Sequence, residues 1–488
     1  MVRVTAIPIS TDPRRRRRAT TAAAIALVLV LVTLGASQPG RAVSPAVTEL
    51  RVSGPAGAAL QPNLVGFNWR AGGEAVAPLR PGLVRSFAVR LAQISPAPGV
   101  LHFGAADAEI DAISATGATP VVVLIERPPW DPAAGSPGYE SVVAAVVRHY
   151  LVERGAAGHP PVWFESGNEP EFPPTSHGQL PSELAADVAA QVRAIRRVEA
   201  DAKVSVSYGG PAALFADPAV AAAFIAAARA AGRLPDFVSW HTYTNAPMLG
   251  PDGPEDRSSP AAVAVWEALH GTNPAASPTV LGAGIDVMRA AVKAAMLPGE
   301  ATPALLITEW NLSSGGFDAR NDTYVGAAHT VASLIEMQRR GLDGATFFAA
   351  VDRHCSNPDV NPSRAQFCGD WGTASATGAR KPVWHAFDLW RMLKGPTRTV
   401  TGADGASGLW ALAADDAGTT RIIVASFSVA TPTDRQLRIA IDAQDRPRAV
   451  VVRRVDADHS TAAPTASVLA ARADSIDVAL PANSVVMV

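Results

Sequence analysis

The sequence lacks an excess of charge of either sign, and this excludes several classes of protein. Charged residues make up 18% of its 488 residues, and the formal net charge is −2. Nothing in this balance suggests a protein that binds nucleic acid or the surface of a membrane. Hydrophobic residues make up 48%, which argues against a disordered or fibrous chain, and the length allows two or three domains with a large core.

Long apolar runs are also lacking, apart from one stretch at about residues 20–34. An arginine run at 14–18 precedes this stretch, and the small residues Gly40 and Ala42 follow it at the −3 and −1 positions of a cleavage site, which is the order of a signal peptide. The stretch is short for a transmembrane helix, which needs about 20 apolar residues. We predict that 1–42 is a cleaved signal peptide of a secreted or cell-surface bacterial protein. The alternative is an uncleaved N-terminal anchor, which would be its only link to a membrane.

Cysteine is scarce, since the chain contains only Cys355 and Cys368. A metal site on this pair could use the adjacent His354, but no further cysteine or nearby histidine completes a set of four ligands. Two cysteines this close together in an exported protein are typical of a disulfide. We therefore predict a disulfide, with metal binding as the alternative, and no metal or organic cofactor.

No glycine-rich phosphate loop follows the first predicted strand, which argues against an open doubly wound sheet. Instead, short β-rich apolar runs alternate with alanine-rich helical segments from about residue 64 to residue 394. Alternating strands and helices predict a parallel sheet, and eight such units predict an α/β fold of the closed (β/α)8 TIM barrel type. The predicted strands are 65–68, 83–86, 120–125, 162–166, 204–208, 237–241, 305–308 and 345–349. The predicted helices are 106–115, 139–152, 184–199, 220–231, 261–269, 286–295, 327–340 and 383–393.

The pattern changes near the end of the chain. Short alternating apolar runs there are separated by Gly, Asp and Pro turns, and helical periodicity is absent. This is typical of a small antiparallel β domain, and we predict a C-terminal β-sandwich. The predicted domains are the signal peptide or anchor at 1–42, an N-terminal strand region at 43–59 that is a candidate member of the sandwich, the catalytic barrel at 60–395 and the sandwich at 396–488.

Two glutamates lie at the ends of predicted barrel strands. Glu169 follows the fourth strand in Gly-Asn-Glu-Pro, and Glu309 follows the seventh in Thr-Glu-Trp-Asn. Active sites of barrels lie at the C-terminal ends of the strands, and these two ends face each other across the mouth. Two carboxylates there can flank a glycosidic bond, one protonating the leaving oxygen and the other attacking the anomeric carbon or activating water. A solvated strand end would explain either glutamate alone, but it is a poor explanation of both.

These stretches resemble clan A of the glycoside hydrolases, which are retaining enzymes with Asn-Glu at strand four and Glu at strand seven. Gly-Gly-Pro-Ala at 209–212, His-Thr-Tyr at 241–243 and Lys-Pro-Val-Trp-His at 381–385 resemble family 39 in particular. That family includes β-xylosidases, α-L-iduronidases and bacterial exopolysaccharide endo-glycosidases. The resemblance spans most of residues 60–395. Two positions depart from it: Gly167 replaces the usual Trp, a form also seen in family 79, and Phe348 stands where the clan often has Trp.

The resemblance implies a retaining O-glycosidase that cleaves a polysaccharide or glycoconjugate by double displacement. Glu169 would be the acid/base and Glu309 the nucleophile. Two other readings stay open: a transglycosylase that uses the same covalent intermediate, and a carbohydrate-binding barrel without turnover. The sequence does not decide the sugar, the linkage or the oligomeric state.

The neighbourhood of the two glutamates offers four further candidates. We expect Arg85 to hold the charge of the nucleophile and Tyr243 to donate a hydrogen bond to it. His241 is a candidate to position the cluster. Asn168 is a candidate to bind the sugar 2-hydroxyl, a contact that strengthens in the transition state. For each of these residues the alternative is an ordinary satisfied polar or ionic contact.

Aromatic and basic residues near strand ends are candidates for contacts with sugar. The tryptophans near strand ends could stack on sugar rings, with core packing as the alternative for each: Trp69, Trp130, Trp240, Trp310 and Trp371. Arg127, Arg353 and His354 would suit an anionic sugar if they face the cleft, although loop arginines are more often solvated.

Overall fold

The computed structural model describes residues 47–54, 57–172, 176, 181–245, 277–314, 318–355, 366–429, 431–441, 450–461, 464–467 and 475–488. The predicted signal peptide or anchor and the predicted helix at 261–269 lie outside these residues. Within the described part of the chain, no helix combines the length and the apolar character needed to cross a membrane.

Eight parallel strands close into a barrel, which confirms the predicted fold class. The strand β1 (Val47–Ser53) precedes this barrel. Apolar side chains fill both faces of the barrel strands, as expected for parallel strands covered by helices. The barrel strands are β2 (Gly66–Asn68), β3 (Leu83–Ser86), β4 (Thr119–Leu124), β5 (Trp163–Ser166), β6 (Ser207–Ala213), β7 (Phe237–Asn245), β8 (Ala304–Ser313) and β9 (Gly344–Phe347).

Helices connect most of these strands on the outside of the barrel. Several begin at a proline, because the fixed φ of proline suits a helix. The N–H group that proline lacks is one that would have no partner in the first turn. The longer helices are α1 (Gly104–Ala115), α2 (Pro137–Arg148), α3 (Pro181–Ala202), α4 (Pro218–Ala230), α5 (Pro278–Ala295), α6 (Tyr324–Arg339) and α7 (Pro382–Trp390). Shorter helical turns lie at Pro62–Leu64, Gly73–Leu79, Leu91–Ile94, His149–Glu153, Arg154–Ala156 and Ala319–Asp322. The turn at Gly73–Leu79 takes the place of a helix between β2 and β3.

The C-terminal residues form a separate β domain. Its strands are β10 (Thr397–Thr401), β11 (Leu409–Asp416), β12 (Thr419–Ser426), β13 (Arg435–Ile441), β14 (Val451–Val455), β15 (Pro464–Ser467), β16 (Ser475–Leu480) and β17 (Ser484–Met487). Together with β1 they form one nine-stranded sheet in the order β15-β14-β17-β12-β11-β10-β1-β13-β16. Residues from both arms of this sheet pack into one apolar cluster, so a single curled sheet encloses the core. The strand β1 pairs antiparallel with β10 and parallel with β13.

The helix α6 joins the barrel to the β domain. Thirteen of its sixteen residues are buried, because the barrel covers one side and the sheet covers another. Its polar residues are bonded: Trp410 of β11 donates to Glu336, and the side chain of Gln338 accepts from the backbone of Gln61. The barrel and the sheet therefore share one apolar core.

Candidate active site

Glu169 lies just beyond the end of β5, where the backbone turns sharply. Gly167 has φ of 69° and Glu169 has φ of 42°, both in the left-handed region. Glycine takes this conformation without the penalty of a Cβ atom, which suits Gly167 to this turn. Glu169 must be held there by its surroundings, and its N–H donates to the carbonyl of Ala212 at the end of β6 at 2.8 Å. The side chain is buried in the mouth.

Glu309 lies inside β8 rather than after it, because this strand continues to Ser313. The pairing register between β7 and β8 shifts next to His241, so that His241 pairs with Glu309. The register between β8 and β9 shifts over the same stretch of β8. Such bulges re-aim side chains at the rims of barrels. They place Glu309 beside the polar end of β7.

Two donors hold the carboxylate of Glu309. Nη1 of Arg85 donates to Oε1 at 2.6 Å, and the hydroxyl of Tyr243 donates to Oε2 at 2.7 Å. Burial and the nearby charge of Glu309 raise the pKa of Tyr243 well above its usual value of 10. The phenol therefore stays neutral and keeps its donor proton. The two donors that the sequence predicted for Glu309 therefore both contact its carboxylate.

Arg85 is the centre of a buried polar network. Its Nε donates to Glu165 at 2.5 Å, and its Nη2 donates to the amide oxygen of Asn168 at 2.8 Å. Burial opposes the charge of this guanidinium, but the carboxylates of Glu165 and Glu309 outweigh burial and raise its pKa. Arg85 thus fixes the amide of Asn168 next to the acid/base candidate. A sugar contact of Asn168 stays a prediction.

His241 lies between the two glutamates and is completely buried. Its Nδ1 is 2.7 Å from Oε1 of Glu169 and 3.8 Å from Oε2 of Glu309. Burial alone would lower the pKa of this imidazole, but the charges of Glu309 and Glu169 raise it. One oxygen of Glu169 and one of Glu309 lie within 4.8 Å of each other and of the imidazole. The sequence candidates Glu169, Glu309 and His241 therefore form one compact cluster.

This cluster offers three ligand atoms to a metal ion, but its geometry suits an ion pair better. The imidazole bonds directly to Glu169, and Arg85 and Tyr243 already hold both oxygens of Glu309. The positive charge that a metal would supply is therefore already present as a guanidinium.

A second group of possible ligand atoms consists of Asp352, Cys355 and Asp370. The predicted disulfide is confirmed, with the Cα atoms of Cys355 and Cys368 5.4 Å apart, so Cys355 offers no thiolate. Nζ of Lys381 lies 2.7 Å from Asp352, where it supplies the neutralising charge.

Trp310 and Trp130 are the tryptophan candidates whose side-chain contacts are clearest, and their surroundings differ. Trp310 is completely buried and packs against Phe347 and Phe387 in the core behind the strands. Its side chain faces away from Glu309 because neighbours on a strand point to opposite faces. Trp130 is only partly buried, but its indole N–H donates to Ser95 at 3.1 Å. Trp310 is therefore a core residue, and Trp130 is anchored to the loop after β3.

The basic candidates divide in a similar way. Arg127 is bonded to Glu183 and Asp187 of α3, which neutralise its charge. Arg353 and His354 lie near Trp371, whose ring meets that of His354 at 5.7 Å. Backbone N–H groups of both residues donate to Asp370 at 2.7 Å.

Sequence reasoning missed three residues of the mouth. Glu165 is fully buried against Arg85, and a signal existed because an acidic residue interrupts an apolar strand. Phe87 lies under the guanidinium of Arg85, with 4.6 Å between the guanidinium carbon and the ring centre. Arg70 lies 4.7 Å from the centre of the Phe348 ring. Only the position of Arg70 just after a strand could have indicated it.

Solved structures share this architecture, whereas no family model and no curated protein sequence matches the chain. A monomeric β-xylosidase from Caulobacter crescentus CB15 superposes with a TM-score of 0.68 at 20% identity, covering 90% of this chain and 99% of that one. A GH39 enzyme from Xanthomonas axonopodis pv. citri gives 0.67 at 19% identity, covering 92% and 98%. A glucosidase from Croceicoccus marinus gives 0.64 at 20% identity, covering 91% and 98%. At these identities the likeness shows a shared fold, namely the (β/α)8 barrel with its β domain.

Proposed function

We propose that the protein is an exported, retaining glycoside hydrolase of clan A, with Glu169 as the acid/base and Glu309 as the nucleophile. The observation that carries this proposal is the close approach of the two carboxylates, with oxygens within 4.8 Å. Retaining glycosidases hold their carboxyl groups about 5 Å apart, whereas inverting enzymes leave about 6.5–9.5 Å for a water molecule. The similar fold of a β-xylosidase and a glucosidase supports a carbohydrate substrate.

In the first half of the reaction, an oxygen of Glu309 attacks the anomeric carbon while Glu169 gives its proton to the leaving oxygen. A covalent glycosyl ester on Glu309 results. The donors Arg85 and Tyr243 hold Glu309 in one orientation, so that no solvent has to reorganise before the attack.

In the second half, Glu169 takes a proton from water, and the water oxygen attacks the anomeric carbon. The ester bond breaks and returns the carboxylate of Glu309 to its two donors. The imidazole of His241 stabilises the charge of Glu169 between the two halves, because its Nδ1 lies 2.7 Å from that carboxylate. Each half of the reaction inverts the configuration of the anomeric carbon, so the product has the same anomeric configuration as the substrate.

Glu309→Ala and Glu169→Ala test the mechanism on a panel of polysaccharides and aryl glycosides. Glu309→Ala should lower kcat by at least about 1000-fold, because no covalent intermediate can form. Glu169→Ala should lower kcat by about 10²–10⁴-fold for substrates with sugar leaving groups, and by less for aryl glycosides, whose leaving groups need no proton. Glu300→Ala is the control, since Glu300 pairs with Arg229 on the outside of the barrel.

The stereochemistry of the product gives an independent check. NMR of the first-formed sugar should show the configuration of the substrate. An inverted product, or wild-type turnover in Glu309→Ala, would contradict double displacement. A transglycosylase would instead transfer the sugar to an added acceptor at high concentration, and a binding protein would show affinity without turnover.

A further inference from the structure

Arg70 is a basic residue at the mouth of the barrel. It follows β2 by two positions, and the N–H of Trp69 donates to the carbonyl of Arg85 at 2.8 Å, which keeps the chain beside β3 at the rim. The guanidinium carbon of Arg70 lies 4.7 Å from the centre of the Phe348 ring. Phe348 follows β9, which pairs with β2. The contact therefore spans the seam at which the barrel closes.

The ring of Phe348 links Arg70 to the nucleophile. Its centre lies 6.5 Å from that of Tyr243, whose hydroxyl donates to Glu309. Phe348 also meets Trp371 edge-on, with ring centres 5.4 Å apart. Both Phe348 and Trp371 are only partly buried, so they form the aromatic wall of the mouth on this side. Arg70 therefore lies beside the place where a sugar ring meets Glu309.

Within the described residues, the side chain of Arg70 forms no hydrogen bond and no ion pair. Burial lowers its pKa, while the charges of Glu309 and Asp370 act in the opposite direction. An arginine stays charged at any ordinary pH and carries five N–H donors. Partly burying such a group without acceptors costs free energy, which a ligand with oxygen acceptors would offset.

The carboxylates near Arg70 are each bonded to other groups, so none of them pairs with its guanidinium. Arg353 adds a second positive charge near enough to lower the pKa of Arg70. Asp370 and Glu109 also lie near Arg70, but Asp370 accepts from the backbone N–H groups of Arg353 and His354. Burial raises the pKa of Glu109, and its Oε1 accepts from Ser86. Glu309 is occupied by Arg85 and Tyr243. A carboxylate from the ligand is the chemistry that would complete this site.

We propose that Arg70, supported by Phe348, binds the carboxylate of an acidic sugar, so that the substrate carries a uronic acid in the subsite next to Glu309. The inference rests on the proposed function, because it names the substrate class of the same site. A planar guanidinium binds a carboxylate through two parallel N–H···O bonds, and the ring beneath it restricts its motion. Arg70 is thus a specificity residue rather than a reacting one.

Matched aryl glycosides that differ only at C6 test this subsite. Aryl glucuronides are compared with aryl glucosides, and aryl galacturonides with aryl galactosides, in both anomeric configurations. The wild type should prefer the acidic member of a pair. Arg70→Gln should lower the ratio of kcat/KM for the acidic over the neutral member by roughly ten- to a hundred-fold, the range of a lost charged hydrogen bond. In Arg70→Lys this ratio should lie between those of the wild type and Arg70→Gln, because lysine keeps the charge but not the paired donors.

Two results would overturn the subsite while leaving the proposed function intact. One is a wild type that prefers the neutral sugar, with turnover that still depends on Glu309. The other is an equal loss of kcat/KM for the acidic and the neutral glycoside in Arg70→Gln. That result would mean that Arg70 acts on Glu309 and not on the substrate. Thermal unfolding of both Arg70 variants shows whether they are folded.

If no aryl glycoside is hydrolysed, the proposed function fails on this panel and binding decides the subsite. Calorimetry then compares oligogalacturonate and oligoglucuronate with neutral oligosaccharides, using Glu309→Gln with and without Arg70→Gln. A loss of affinity of about tenfold or more for the acidic ligands alone, larger at low salt, supports the subsite. Absent or unchanged affinity overturns it.

Discussion

The guanidinium of Arg85 carries a single buried positive charge that two carboxylates share. Glu165 accepts from Nε and Glu309 accepts from Nη1, and both Arg85 and Glu165 are completely shielded from water. Buried ions are costly unless geometry and further hydrogen bonds compensate them. Glu165 has no place for substrate, since it lies beneath the cluster inside β5. Its contribution is to hold Arg85 so that Arg85 can hold Glu309.

Glu165→Gln tests this balance at the residue scale. The variant keeps the shape of the side chain but leaves Arg85 with one carboxylate, so we expect a loss of about 3 kcal/mol in the free energy of unfolding. Urea unfolding measures it. The control is Asp477→Asn, which breaks an exposed ion pair with Arg438 and should change stability little. Equal small effects in the two variants would show that Glu165 does not stabilise the site.

At the scale of elements, the segment between β9 and α7 supports the aromatic wall. Lys381 is completely buried and bridges Asp352 and Asp322 at 2.7 Å each. Asp370 accepts from the backbone of Arg353, and a disulfide closes the same segment. Because Phe348 and Trp371 belong to this segment, its ion pairs determine where the wall of the mouth lies.

The two aspartates of this segment should give opposite pH dependences. Burial raises the pKa of Asp352 to about 7, with Lys381 only partly offsetting it. The folded state therefore binds a proton more tightly than the unfolded chain, whose aspartates titrate near ~3.9. The resulting stability is present in full below about pH 4 and is lost as the pH rises towards 7. Asp352→Asn should remove this decline from the unfolding midpoint measured against pH.

Asp370→Asn is the matched control, because the pKa of Asp370 is lowered. Burial works against this carboxylate, but backbone N–H groups of His354, Arg353 and Trp371 outweigh burial. Its stabilisation is present above the unfolded pKa of ~3.9 and is lost as the pH falls below that value. Asp370→Asn should therefore weaken the protein at neutral pH. Parallel curves for wild type and Asp352→Asn would contradict the assignment.

At the scale of the whole molecule, the barrel and the β domain should unfold together. Trp410 of β11 is almost completely buried against α6, and its indole donates to Glu336 at 2.8 Å. Apolar residues of β11, β12 and β17 lie in the same core cluster as α6 and α7. Neither part can open without exposing the apolar surface of the other.

Trp410→Ala tests this coupling. Wild-type protein should show one calorimetric transition, and the variant should lose about 3–5 kcal/mol through the cavity beside α6. Trp410→Phe, which keeps most of the volume and loses the bond to Glu336, should lose less. Two separate transitions in the wild type, one for each part, would contradict a shared core.

The sequence predicts those parts of the fold in which a single physical cause dominates. Continuous apolar runs located seven of the eight barrel strands, because burial on both faces makes the whole strand apolar. The fifth strand was predicted at 204–208, but it is β6 (Ser207–Ala213) and shares only residues 207 and 208 with that range. The later strands β7 and β8 run further than predicted, since their ends carry polar residues that face the mouth. His241, Tyr243 and Glu309 break the apolar pattern for that reason.

The site was predicted where a motif exists and missed where only a tertiary contact does. Glu169 and Glu309 were found by their place at the ends of predicted strands, and Arg85 by its charge at the end of another, although Glu309 lies inside β8. Arg70 has no motif, because its position depends on Phe348 from the opposite end of the barrel sequence. The prediction for Trp310 failed in the opposite way. Its position next to Glu309 in the sequence suggested that it faces the cleft, but neighbouring side chains on a strand point to opposite faces, so Trp310 lies in the core.

The strand β1 shows how the order of the chain constrains assembly. It precedes the barrel in the sequence, but its partners β10 and β13 follow the barrel in the sequence. During synthesis β1 is made before the barrel, whereas its partner strands are made after it. The N–H and C=O groups of β1 therefore cannot pair with them until most of the chain has been synthesised. Contacts so distant in sequence form slowly, because a long loop must close first. Until then β1 is an unpaired strand open to association with other chains, so this architecture favours conditions in which the whole chain is released before it folds.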